Sequence, residues 1–287
     1  MAAIEEPGIQ LALWGEVRSA RRSPRLADAL ATPHFYCSGH FIVLPTAMKL
    51  VKYLRNLGYG SRREVAHLVE RGRVTREDGS ALNDRDAFTH EDVRVDGELL
   101  DPTPGVVLML HKPLGYVCST EDAGPVIYDL LQPRFRKRLP IISPIGRLDR
   151  DTSGLLLLTD DGQLSNRIRS PRRHLPKIYE ARLATPLRGD EATLFASGTM
   201  VLERESSPLR PATLEVIDEL NVRLTLVEGR YHQVRRMFGA VGNRVESLHR
   251  CAIGGLDLGT LPPGKWREIG ATDLALLFSD GTSLSQD

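Results

Sequence analysis

A chain of 287 residues is long enough for two domains and a substantial core, and its 26% charged and 41% apolar residues are ordinary for a globular protein in water. No apolar run approaches the roughly 20 residues of a membrane span, and three scattered cysteines with no C-x-x-C pair argue against a disulfide framework or a cysteine zinc site and predict a reducing, cytoplasmic setting. The net charge of +1 conceals an asymmetry: residues 48–76 carry eight Lys/Arg against two Glu, and residues 77–101 carry nine Asp/Glu against two Arg.

Residues 1–47, with four arginines against four acids, show no capped helix or alternating strand. They are expected to be a disordered extension, or to precede a true start at Met48. From there the signals sharpen. Leu50, Leu54 and Leu57 form the stripe of a short amphipathic helix that "GYG" ends. "SRREVAHLVERGRV" follows, with Ser61 and Glu64 as a capping box and Val65, Leu68 and Val69 as a buried face. Arg62 and Arg63 then stand in a first turn, where cations oppose the helix dipole and point to a role other than local stability. A basic stripe is the footprint of phosphate binding; its plainer reading is a solvated helix face. "RVT" and "VRVDGELL" read as short strands, and "LDPTPG" as a linker.

The second half is strand-rich. "VVLMLHKP", "LLLLT", "IYEARL", "ATLEVI", "VRLTLVEG" and "ALLF" read as strands, and "DGQLSNRIRS" and "QVRRMFGAVG" as helices. The pattern predicts an α+β fold: a small domain over 48–103, a mixed, mainly antiparallel sheet domain over 106–277, and a tail over 278–287.

Several chemistries lack their signatures. There is no G-x-G-x-x-G, no phosphate-cradling G-x-x-x-x-G-K-[ST] and no G-x-S-x-G. Asp149, Asp151, Asp160 and Asp161 suit Mg²⁺ only if their carboxylates converge, so no metal is expected. Asp149 follows Gly-Arg-Leu and precedes four leucines, which places a carboxylate at the edge of a buried strand, where a cation or hydrogen bonds must hold its charge. Arg235 or Arg236 offers the cation, and Tyr179 offers a planar ring on which a nucleobase stacks. Such a set suits an enzyme acting on an extruded base.

"GRLDRDTSGLLLLTDDGQLSNRIRSPRRHLPKIYE" together with "EGRYHQVRRMF" resembles the pseudouridine synthases of bacterial ribosomal RNA, and "KYLRNLGYGSRREVAHLVERGRVT" with "VRVDGE" resembles the alpha-L RNA-binding domain first known from a small-subunit ribosomal protein. The resemblance implies that Asp149 is the catalytic aspartate, that Tyr179 of the K-x-Y motif lies against the target base, and that Arg235 of Q-V-R-R-M is the ion-pair partner of Asp149. It implies RNA contacts for Arg62, Arg63, Arg71, Arg73, Lys112, Arg147 and Lys177. The implied reaction is isomerisation of uridine to pseudouridine without a cofactor, in ribosomal RNA; separately, the chain is expected to be a monomer. Within the family, "KPLGYVCST" and "RPATLEV" are most similar to members that modify 16S rRNA at uridine 516, in preference to 23S rRNA. Two other readings stand beside it: a non-catalytic RNA-binding assembly protein, and a nuclease using the Asp cluster with a metal.

Overall fold

The protein is described by a computed structural model over residues 48–170 and 173–279. The extension expected over 1–47, and residues 280–287 of the tail expected over 278–287, lie outside the described residues.

The leucine stripe forms α1 (Leu50–Asn56), with Leu50, Leu54 and Leu57 wholly buried. Gly58 stops it at φ +90, where a Cβ would lie 2.4 Å from the carbonyl oxygen of Arg134, so both the backbone angle and the close approach require glycine. α2 (Arg62–Glu70) opens on the expected box: the Ser61 amide donates to Glu64 Oε2 at 2.7 Å, and the Glu64 amide to Ser61 Oγ at 3.3 Å. β1 (Val74–Thr75), β2 (Arg94–Val95) and β3 (Glu98–Leu99) make an antiparallel sheet, with Asp96 and Gly97 both left-handed in the β2–β3 hairpin. Leu50, Leu54, Val65, Val74, Val93 and Val95 close a core of their own.

The stretch read as a linker is held tightly. Asp101 is buried and accepts from Arg134 Nε at 2.7 Å and Nη2 at 3.0 Å, and the Pro102 carbonyl accepts from the buried Arg138.

Beyond it lie β4 (Val107–Lys112), β5 (Ser143–Pro144), β6 (Ser153–Thr159), α3 (Gly162–Arg169), β7 (Lys177–Leu183) and α4 (Glu191–Ala196). β8 (Thr213–Val216), β9 (Asn221–Leu226), α5 (Gln233–Ala240), β10 (Val245–Ile253), β11 (Leu256–Asp257), β12 (Trp266–Glu268) and α6 (Ala271–Phe278) complete it. The sheet runs β12-β4-β6-β10-β7-β9-β8, with β5 beside β6 and β11 beside β10. Every pairing is antiparallel except β6 with β10. The four leucines of β6 are consecutive because the strand is covered on both sides: Leu156 and Leu158 enter one core with Leu108 and Leu110, Leu155 and Leu157 another with Val107 and Met109.

One expected strand is a helix. "ALLF" lies in α6, where Asp273 Oδ2 accepts from the Gly270 amide at 3.1 Å and Leu274, Leu277 and Phe278 pack on the second core at helical spacing. Conversely, the central strand β10 carries no strand signal. "VESLHRCAI" breaks alternation because register shifts fall between Val245 and Ser247 and between Arg250 and Ala252.

Candidate active site

The site grows from the start of β6. Gly154 sits at φ +113 against the backbone of Arg250 on β10, and a Cβ there would lie 2.2 Å from the Arg250 oxygen. Only glycine permits this close parallel junction. The turn that feeds into it, Asp149 to Thr152, has every carbonyl engaged. Asp149 O accepts from the Thr152 amide at 3.1 Å, and Arg150 O from the Gly115 amide at 2.8 Å. Asp151 O accepts from Arg235 Nη2 at 2.9 Å, and Thr152 O from Lys112 Nζ at 2.8 Å. The turn is therefore a rigid bracket, and it presents the Asp149 carboxylate, 30% exposed, to a cavity of about 1160 Å³.

Lys112 makes this bracket from below and does not face RNA. Its side chain has no exposed surface, and Nζ also donates to Pro113 O at 3.0 Å and reaches Arg150 O at 3.5 Å. Burial pushes its pKa down, against the pull of Cys118, Asp149 and Asp151. The sequence placed it at the end of an apolar strand, and the chain fold turns that end inward.

Arg235 departs from expectation in a second way: its carboxylate partner is Asp151, with Nη2 3.1 Å from Oδ2, and Nη1 donates to Val245 O at 3.0 Å. From the first turn of α5 its fork spans β10 and the middle of the aspartate turn, so it fixes the loop that carries Asp149 without touching the Asp149 carboxylate. Arg236, the neighbouring candidate, turns away to Glu205 Oε1 and Glu203 O. The group that does approach Asp149 is His232, with Nε2 3.3 Å from Oδ1. His232 is not among the residues singled out from the sequence; its position directly before Q-V-R-R-M is the one signal that could have found it.

K-x-Y lies on β7, and two-residue spacing puts both side chains on one face, lining the cavity. Tyr179 is 9% exposed, and its hydroxyl accepts a long hydrogen bond from Arg250 Nη1 at 3.4 Å. Arg250, itself buried, donates from Nε to Leu155 O at 2.8 Å; its Nη2 has no partner among the described residues. Lys177 donates to Leu175 O at 3.2 Å, and burial, helped by the adjacent Arg250 against Glu228, pushes its pKa down to about 8. Lys177 thus sits within the cavity, while Arg147, Arg150, Arg169 and Arg210 also line it. Cations so outnumber carboxylates that the cavity suits a polyanion.

Of the arginines expected to meet RNA on the small domain, Arg62, Arg63 and Arg71 are exposed on and just after α2. Arg73 is engaged: Nε and Nη2 grip Asp96 at 2.5 and 2.6 Å. The four aspartates considered as metal ligands do not converge. Asp160 pairs with Arg138 at 3.3 Å, and Asp161 caps α3 through the Gln163 and Leu164 amides. A carboxylate on a rigid turn, an aromatic ring over a buried cation and a basic lining make a chamber for a planar group carried on a phosphate chain.

The chain is similar to known proteins in sequence and in fold. Residues 106–240 match the family described as RNA pseudouridylate synthase. The ribosomal small subunit pseudouridine synthase A of Yersinia pestis is 46% identical over 233 residues, covering 79% of this chain and 97% of that one. Its namesake in Escherichia coli strain K12 is 44% identical over 235 residues, covering 79% and 99%. A crystal structure of a pseudouridylate synthase superposes with a TM-score of 0.57 at 37% identity, over 80% of this chain and 100% of that one.

Proposed function

The chain belongs to the RNA pseudouridine synthase family, and on that premise we propose that it isomerises a uridine of small-subunit ribosomal RNA, with Asp149 as the acting carboxylate. The ribosomal target is that named for the relatives in Yersinia pestis and Escherichia coli. One observation carries the assignment of the residue: Asp149 is the carboxylate that the bracketed turn holds at the cavity, while Asp151 is spent on Arg235.

In the reaction the N1–C1′ bond breaks, the uracil turns within the cavity, and C5 bonds to C1′. The C5 proton then leaves, its electron pair restores the ring double bond, and N1 takes up a proton, so atoms and charge balance. The Asp149 carboxylate initiates this either by attack on C1′ or by removal of the 2′ proton; both need the ionised form. The buried ring of Tyr179 forms the floor against which the freed uracil turns. Low-dielectric walls keep it from exchanging with water. Lys112, Arg235 and Gly154 position the turn, and Lys177 with the rim arginines holds backbone phosphates.

The small domain over 48–103 serves in this reading as an alpha-L RNA-binding module, with Arg62, Arg63 and Arg71 toward phosphates. An assembly protein without catalysis leaves the Asp149 bracket and its cavity without a purpose.

The test is carbodiimide primer-extension mapping of 16S and 23S rRNA from cells lacking the protein, complemented with wild type or Asp149→Ala. The expected result is a 16S stop restored by wild type alone. A 23S stop overturns the choice of RNA, and a stop restored equally by Asp149→Ala overturns the role of Asp149.

A further inference from the structure

Tyr231 stands out at the rim of the same cavity. Its side chain is 70% exposed, and its hydroxyl has no hydrogen-bond partner among the described residues. An exposed aromatic ring is ordinary on a mobile loop, yet this loop is pinned. Arg230 donates to Ser207 O at 2.9 Å and Pro208 O at 2.5 Å, the Arg230 amide to Gln233 Oε1 at 2.9 Å, and Arg236 Nη1 to the Tyr231 carbonyl at 3.2 Å. The ring itself is seated as well. His232 adopts a left-handed backbone (φ 48, ψ 34), uncommon outside glycine, which brings two consecutive side chains to one side of the chain. The Tyr231 and His232 rings stack with centroids 3.8 Å apart and planes 19° from parallel. His232 in turn approaches Asp149 at 3.3 Å.

A rigid backbone, a ring braced from behind and its other face free describe a wedge. An enzyme that draws a nucleotide out of a stack must offset the lost stacking of its neighbours, which an inserted side chain does. We propose that Tyr231 takes the place of the target uridine in the RNA stack once that nucleotide has entered the cavity. The inference rests on the reading of the cavity as the site of uridine isomerisation. The brace then ties the two events: Tyr231 lies against the ring that touches Asp149, so insertion and delivery of C1′ to the carboxylate occur at one place.

The test uses tritium release from C5 of the target uridine with the full-length protein and two RNAs. In one fragment of small-subunit RNA the uridine is paired within a helix; in the other its partner nucleotide is deleted, leaving it bulged and already unstacked. Tyr231→Ala is expected to lower kcat/KM on the paired RNA by roughly 5- to 150-fold, the worth of one base stacked on an aromatic ring, and to come within about threefold of wild type on the bulged RNA. Tyr231→Phe, which keeps the ring, is expected to match wild type on both. Equal loss for Tyr231→Ala on both RNAs, no loss on either, or a Tyr231→Phe variant as impaired as Tyr231→Ala overturns the wedge. Absence of tritium release by wild type overturns the underlying function instead.

Discussion

Lys112→Met separates a bracket from an RNA contact. In the folded protein Nζ donates to Thr152 O at 2.8 Å and Pro113 O at 3.0 Å, with Arg150 O at the limit of reach at 3.5 Å. Two short bonds from a buried ammonium contribute about 1.5–3 kcal/mol each, and their loss leaves two carbonyls unsatisfied. Against this stands the desolvation of the ammonium, which the lowered pKa reports and which methionine removes. The net loss is on the order of 3 kcal/mol, or roughly 6–12 °C in Tm for a body of this size. Because the freed turn carries Asp149, kcat is expected to fall about 100-fold, the effect of displacing a reacting group by about 1 Å. RNA affinity and its salt dependence should stay as in wild type. Thermal unfolding, single-turnover kinetics and binding across a salt series check these points. A variant with unchanged Tm and kcat, but a log–log salt slope smaller by about one, refutes the bracket and restores Lys112 as a phosphate contact.

Gly154→Ala must fit a Cβ 2.2 Å from Arg250 O at φ +113, so we expect a loss of about 4 kcal/mol or more, read as a Tm drop of roughly 10 °C or failure to fold; near-wild-type unfolding would show that the β6–β10 junction can open. Lys177 is held near a pKa of 8 against an ordinary 10.5, so between these values the unfolded chain binds a proton the folded chain does not, and the penalty is full below pH 8 and fades as pH rises toward 10.5. Lys177→Met should therefore be more stable than wild type by up to about 3 kcal/mol at pH 7, a gap that closes by pH 10.5 in denaturant titrations, while RNA binding weakens; a pH-independent gap contradicts the assignment. Arg62→Gln and Arg63→Gln should each reduce the salt slope of RNA binding by roughly one, whereas Arg73→Gln, already held by Asp96, should leave it unchanged.

Local chemistry was legible along the chain wherever one segment decides its own structure. The Ser61–Glu64 box and the stripe of Leu50, Leu54 and Leu57 need only neighbours three or four residues away. β10 was not legible, because its burial is set by β6 and β7 on either side and by two register shifts, none of which its own residues announce. "ALLF" misled for the opposite reason: a short apolar run fits strand or helix, and the surface that receives Leu277 decides between them.

The same division runs through the site. Sequence by itself determined the chemical groups: a carboxylate before a leucine strand, a lysine and tyrosine two apart, arginines after Gln-Val, and with them the family. Only the tertiary structure decided the pairing. Asp149 and Asp151 are two residues apart and carry the same charge, and no local rule tells which meets Arg235, which meets His232, or that Lys112 points beneath the turn that joins them. Ion pairing depends on through-space distance within about 4 Å, and those distances are set by how β4, β6, β10 and α5 pack, across separations of many tens of residues.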